Sequence, residues 1–203
     1  CLAANDVLKS GILSGFTAGS DKGFVGGKFV LKFEEKLKKF YRVKHAIVLN
    51  SWTSGLIASV GSLDIEPGDE VITTPFSMCA SAISILHWNA IPVFADINAE
   101  TFCIDPESVK SKITKKTKAI VVADIFGLSH DISAINRIAK KNNLKVIADA
   151  AQAPFSFYNK KLAGTQSDIG GFSYNYHKHV HTGEGGAVVT NNKVLAERIR
   201  KIR

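Results

Sequence analysis

Short apolar runs and amphipathic helical segments take turns along almost the whole chain, and that alternation leaves few folds open. Phe29, Phe33, Leu37 and Phe40 recur at helical spacing behind Gly26-Gly27, predicting a helix over Lys28 to Tyr41. The run Ala46 to Leu49 follows as a short buried strand, and Thr53 to Leu63 as a helix. Pro67-Gly68-Asp69 then turns the chain into the strand Glu70 to Thr73. Further on, Met78 to Trp88, Pro106 to Ile113 and Ile132 to Lys141 read as helices. Ile91 to Ala95, Ala119 to Val122, Val146 to Ala148, Ile169 to Ser173 and Gly186 to Thr190 read as strands. With no internal repeat, low-complexity linker or break in composition, the pattern predicts one α/β domain with a largely parallel sheet.

Composition narrows the class. The 203 residues are 45% hydrophobic and 22% charged, enough to bury a core, so a disordered or fibrous chain is excluded. No apolar run approaches the roughly 20 residues that span a bilayer, and the start lacks the basic-then-apolar order of a signal peptide; the expectation is a soluble cytoplasmic protein without membrane contact. Three cysteines, Cys1, Cys79 and Cys103, form no CxxC pair, which argues against a zinc ribbon or disulfide scaffold. Lys plus Arg number 26 against 18 Asp plus Glu, a net +8. The lysines are spread over amphipathic segments with no stacking-aromatic or helix-turn-helix pattern, so the charge suits anionic metabolites better than nucleic acid. Opening at Cys1 and closing on Ala196 to Arg203, an unfinished helix, the sequence is expected to be truncated at both ends.

In parallel sheets ligands sit beyond the carboxyl ends of the strands, so the residues just after each strand are the candidates for chemistry. After 46–49 comes Asn50-Ser51-Trp52-Thr53-Ser54-Gly55, small hydroxyl residues at a helix start, readable as an anion site or as an ordinary cap. After 146–148 comes Asp149-Ala150-Ala151-Gln152, a carboxylate among apolar neighbours that needs a cationic or hydrogen-bonding partner, or that caps a helix. After 169–173 the chain reads Tyr174-Asn175-Tyr176-His177-Lys178-His179-Val180-His181-Thr182-Gly183-Glu184-Gly185-Gly186. Its alternating histidines invite a metal, but no Cys or Asp lies nearby and Glu184 completes the set poorly, so no metal is expected. Lys178 stands between a serine and a glycine-rich turn, as either a solvated lysine or a Schiff-base amine.

Together these residues carry a family likeness. Ser51 and Thr53, Asp149-Ala150-Ala151-Gln152, Ser173 with Lys178, and Thr182-Gly183-Glu184-Gly185-Gly186 resemble the pyridoxal-phosphate-dependent sugar aminotransferases of the DegT/DnrJ/StrS family. Phe33-Glu34-Glu35, Pro67 to Ile72, Pro92-Val93-Phe94 and Asp105-Pro106 extend the likeness over nearly the whole chain. The resemblance implies the three-layer α/β/α large domain of fold-type I pyridoxal phosphate enzymes over residues 1–203, without the small C-terminal domain. It implies that Lys178 is catalytic, bonding the cofactor and moving a proton between cofactor and substrate carbons. It further implies that Asp149 keeps the pyridine nitrogen protonated, that Gln152 lies by the ring hydroxyl, and that Thr53 and Ser173 hold the phosphate.

Three positions depart from the family pattern. Trp52 replaces a glycine at the phosphate, Met78 replaces an aromatic ring expected against the cofactor, and Asn175 replaces a histidine. Trp52 and Met78 remain candidate cofactor contacts, and the longer stretch Phe16 to Phe24 a candidate substrate contact. The implied reaction moves an amino group from glutamate to a nucleotide-linked ketosugar in a homodimer, with this piece binding the cofactor but turning over poorly. A deoxysugar dehydratase, whose members carry His at the lysine position, and a cofactor-binding regulatory protein are the alternatives.

Overall fold

A computed structural model describes residues 2–17 and 22–203. The helix α1 (Leu2–Ser10), which the sequence pattern did not predict, buries none of its residues. A 3-10 turn at Lys22–Val25 leads into α2 (Lys28–Tyr41), whose apolar face buries Leu37 and Tyr41. Then follow β1 (His45–Leu49), α3 (Trp52–Gly61), β2 (Glu70–Thr73), α4 (Ala80–Leu86), β3 (Ile91–Phe94) and α5 (Pro106–Ser111). The chain continues through β4 (Thr117–Ala123), a 3-10 turn at Ile125–Gly127, α6 (Ile132–Lys141) and β5 (Lys145–Asp149). It ends with the two-residue strands β6 (Phe157–Tyr158) and β7 (Lys161–Leu162), then β8 (Ile169–Ser173), β9 (Gly186–Thr190) and α7 (Lys193–Ile202).

The central sheet has seven strands in the order β1-β9-β8-β5-β4-β2-β3. The pairs β2–β3, β2–β4, β4–β5 and β5–β8 are parallel, whereas β9 runs antiparallel to both β8 and β1. The predicted mostly parallel sheet is therefore present, with one reversed strand between β8 and β1. Successive side chains point to opposite faces, so each strand serves two cores. Val121, Ile147, Ile169 and Val188 pack with Leu56 of α3 and Leu195 and Ile199 of α7. On the other face, Ile120, Val122, Val146 and Ala148 meet Ile135 and Ala139 of α6, while Phe172 and Val189 meet Leu37 and Tyr41 of α2. The result is helix, sheet and helix in three layers.

Buried charge also ties the layers. Glu34 of α2, 3% exposed, accepts hydrogen bonds from the Val48 amide and from both guanidinium nitrogens of Arg200, the shorter at 2.7 Å, and pairs with Arg203. Such a pair is held because removing either partner strands a charge in the core. Among the described residues no helix is long and apolar enough to cross a membrane.

Candidate functional site

Because β1, β2, β4, β5 and β8 all end at one edge of the sheet, the loops after them converge. The Ala123↔Asp149↔Gly171 register aligns three of those ends, and Gly186, where β9 begins, pairs with both Leu49 and Ser173. Two glycines permit the closeness. A Cβ on Gly186 would stand 2.4 Å from the Trp52 nitrogen, and one on Gly171 only 1.7 Å from the Trp52 ring.

The first turn of α3 opens this edge. Ser51 caps it with its hydroxyl, accepting from the Ser54 amide at 3.1 Å. The Trp52 and Thr53 amides have no hydrogen-bond partner among the described residues, and Thr53 is exposed, so unpaired amides and an exposed hydroxyl gather at the positive end of a ten-residue helix. That combination is suited to a phosphate.

Asp149 closes β5 and is buried at 7% exposure. Its Oδ1 accepts from the Trp52 indole Nε1 at 2.6 Å and from the Ala151 amide at 3.0 Å, while its Oδ2 has no partner among the described residues. Burial pushes the carboxyl up to about 6, against the pull of the Ala151 and Trp52 hydrogen bonds; the charge of Asp124 adds to the rise and that of Lys178 opposes it. A buried carboxylate with one unsatisfied oxygen is complementary to a protonated ring nitrogen.

Lys178 is half-buried on the 174–185 loop, which folds back on itself. Tyr174 and Gly185 are joined by a backbone hydrogen bond of 2.8 Å, and Thr182 donates to the Tyr174 carbonyl at 3.0 Å. The amide group of Asn175 donates to both oxygens of Glu184 at 2.7 Å, so the asparagine in place of a histidine has its partner within the loop. Within the same segment Lys178 donates its backbone amide to the Asn175 carbonyl at 2.9 Å. Ser173, at the end of β8, accepts from the Asn175 amide at 3.4 Å.

Gln152 is held from the next strand over, its Oε1 accepting from the Phe126 amide at 3.0 Å. Thus Trp52, Asp149, Gln152, Ser173 and Lys178 lie on one sheet edge together with Thr53. The Trp52 indole sits against Asp149 and Gly171, so only its backbone amide is left for an anion. Met78 lies in the loop between β2 and α4, 67% exposed, with no hydrogen bond to the others among the described residues. Of the stretch Phe16 to Phe24, residues 18–21 lie outside the described residues.

The sequence reading missed Asp124, His130 and Phe126. Asp124 directly follows β4, beside Asp149 at the end of β5, so the strand-end rule applied there would have found it. A cavity of about 1570 Å³ opens beside Asn50 and Ser54, lined also by Trp88 and Arg203, but none of Asp149, Gln152, Ser173 and Lys178 lines it. Among the described residues no group of three or more His, Cys, Asp or Glu is placed to hold a metal ion.

Residues 17–203 match the DegT/DnrJ/EryC1/StrS aminotransferase family. The chain is 39% identical to the spore coat polysaccharide biosynthesis protein SpsC of Bacillus subtilis over 86% of its own length and 45% of that protein's. It is 36% identical to GDP-perosamine synthase of Vibrio cholerae, over 90% of this chain and 50% of that one. Among solved structures, NtdA of Bacillus subtilis with bound cofactor PMP superposes with a TM-score of 0.83 at 32% identity, covering 96% of this chain and 42% of that one. The chain spans about half the length of these relatives.

Proposed function

The chain belongs to the DegT/DnrJ/EryC1/StrS aminotransferase family, and on that premise we propose that it is the large, cofactor-binding domain of an enzyme that moves an amino group from glutamate to the keto carbon of a nucleotide-linked sugar, acting as a homodimer. The observation that carries the reading is Asp149, buried beside Lys178's charge with one oxygen unpaired. Pyridoxal phosphate, when bound, supplies a ring that accepts the electron pair released as a proton leaves a substrate carbon.

Each residue then has a task. The Lys178 amine would hold the cofactor through its aldehyde carbon and would serve as the base that moves a proton between carbons. The Asp149 Oδ2 would accept from a protonated ring nitrogen, a pairing that would keep the carboxyl ionised although burial alone drives it toward the neutral form. The unpaired amides of α3 and the hydroxyls of Thr53 and Ser173 would hold the cofactor's phosphate. The Gln152 amide nitrogen, its oxygen being taken by the Phe126 amide, would be the donor to the ring hydroxyl. Relatives that name a nucleotide sugar, such as GDP-perosamine synthase, support the substrate class. Lys178, where the resemblance puts His in the dehydratases, favours transamination over dehydration.

The test is a donor half-reaction followed by a panel. Protein loaded with pyridoxal phosphate is mixed with glutamate, and 2-oxoglutarate is measured; nucleotide-linked ketosugars are then added and the aminosugar is sought by mass. Stoichiometric 2-oxoglutarate and an aminosugar are expected. A deoxygenated ketosugar without amine, or cofactor binding with no 2-oxoglutarate, would replace this reading by one of its rivals.

A further inference from the structure

One buried polar pair lies outside the site just described. Asp124 and His130 have fully buried side chains, and the His130 Nδ1 stands 2.6 Å from Asp124 Oδ1, which also accepts the His130 backbone amide at 2.9 Å. Asp124 Oδ2 and His130 Nε2 are buried with no partner among the described residues, a cost that a core avoids unless the pair does something an apolar pair could not. Both bonds join the two ends of one short loop, which holds the 3-10 turn Ile125–Gly127. Inside that loop Phe126 has φ 53°, a left-handed conformation that a bulky side chain adopts rarely and that persists only where its surroundings enforce it. The loop is tied to the rest of the site at both sides: the Phe126 amide donates to Gln152 Oε1 at 3.0 Å, and the Asp124 amide donates to the Asp149 carbonyl at 2.9 Å.

We propose that Asp124 and His130 are positioning residues, a clip that holds the 124–130 loop in its strained turn so that the Phe126 amide orients Gln152 for the cofactor. The chemistry follows from the donor. A backbone N–H can bond only the oxygen of the Gln152 amide, which leaves the Nε2 group, two N–H donors without a partner among the described residues, available to a ligand oxygen. Without the clip Phe126 relaxes to negative φ, its amide turns away, and the Gln152 amide is free to flip. The inference rests on the cofactor reading above for its ligand, and on the loop geometry alone for its mechanism.

Two measurements separate those dependences. Asp124→Val/His130→Leu replaces both partners at once, which leaves no stranded polar atom and is compatible with a folded core. In the cofactor-free protein the clip predicts faster hydrogen exchange at the Phe126 amide with little change in melting temperature; unchanged protection there overturns it. With pyridoxal phosphate as the probe, dissociation constants from tryptophan fluorescence are expected to rise about fivefold in the double variant. Gln152→Ala should weaken wild-type binding to a similar degree and add nothing in the double variant. Unchanged affinity in the folded double variant, or an additive Gln152→Ala loss, overturns the proposal. Should the double variant not fold, His130→Asn, which keeps the backbone bond and loses the ring's reach, must weaken binding in the same direction, and unchanged affinity is equally fatal. Wild-type protein that takes up no cofactor on Lys178, yet loses Phe126 protection in the variant, refutes the functional reading and leaves the clip standing.

Discussion

The indole of Trp52 donates to the Asp149 carboxylate at 2.6 Å, so a residue at the start of α3 fixes the one acid that closes β5. Trp52 is 5% exposed and lies against Gly55 and Gly171, neither of which leaves room for a side chain. The tryptophan and the two glycines therefore form one packing unit that aims the indole N–H at Oδ1 and leaves Oδ2 for a ligand.

Trp52→Phe keeps an aromatic ring against Gly171 and deletes the N–H. A hydrogen bond to a buried charged group contributes about 1.5 to 3 kcal/mol, so a stability loss of that order is expected in urea unfolding. The Asp149 carboxyl should rise further above about 6, since the lost bond favoured its ionised form. Weaker cofactor binding at neutral pH follows. A variant as stable as wild type, with unchanged affinity, would mean that the indole is mere filling.

Asp149 also makes stability depend on pH. Its carboxyl stands near 3.8 in the unfolded chain and about 6 in the fold, so the folded state binds the extra proton between those values. Stability of the cofactor-free protein from this group is therefore present at low pH and is lost as pH rises from about 4 to about 6, by about 3 kcal/mol at roughly 1.4 kcal/mol per unit. Asp149→Asn removes the ionisation and should flatten that part of the curve. Urea midpoints at pH 4.5 and 7 in both proteins check it, and an identical drop in the asparagine variant would assign the effect elsewhere.

The helices α2 and α6 were legible because their apolar residues fall on one stripe, and the observed bounds, Lys28–Tyr41 and Ile132–Lys141, match those read from the sequence. Strand direction was not legible. Apolar runs such as Gly186–Thr190 announce a buried strand, yet nothing local says that β9 runs against β8 and β1; that follows from the 174–185 loop folding back at the same sheet edge. The hairpin of β6 and β7 escaped because its turn is Asn159-Lys160, both at positive φ, and lacks the usual glycine. At the site, Asp149 and Lys178 stood out at or just past the ends of strands, whereas Gln152 and Ser173 were assigned by the family resemblance. The destination of the Trp52 indole needed Gly171 across the sheet, and the pairing of His130 with Asp124 needed a loop closed in three dimensions.

His177, His179 and His181 are exposed on the loop that carries Lys178, and the nearest acid of that loop, Glu184, is occupied by Asn175. Among the described residues these histidines are not brought together as a group that could hold an ion, so protein purified without a histidine tag should carry no stoichiometric transition metal. Elemental analysis decides this. A bound metal that disappears when all three are changed to alanine would establish a site here.

Lys178 is the residue on which the functional reading is most exposed to refutation. Its charge reaches the Asp149 carboxyl, its loop is braced by Asn175 and Glu184, and the phosphate-suited end of α3 opens at the same sheet edge. A lysine so placed should bond the aldehyde of pyridoxal phosphate in preference to the chain's many solvated lysines, because the proposed site would hold the phosphate and the ring nitrogen and so present the aldehyde to it. Borohydride reduction followed by peptide mapping should therefore find the adduct on the peptide containing Lys178. Lys178→Ala should abolish it while leaving melting temperature within a few degrees, since the side chain is half-buried and carries no structural hydrogen bond among the described residues. Glu184→Gln, which weakens the brace on Asn175, should retain the adduct with reduced occupancy. An adduct spread over several lysines in wild-type protein, or one that survives Lys178→Ala undiminished, would show that this edge of the sheet does not select the cofactor.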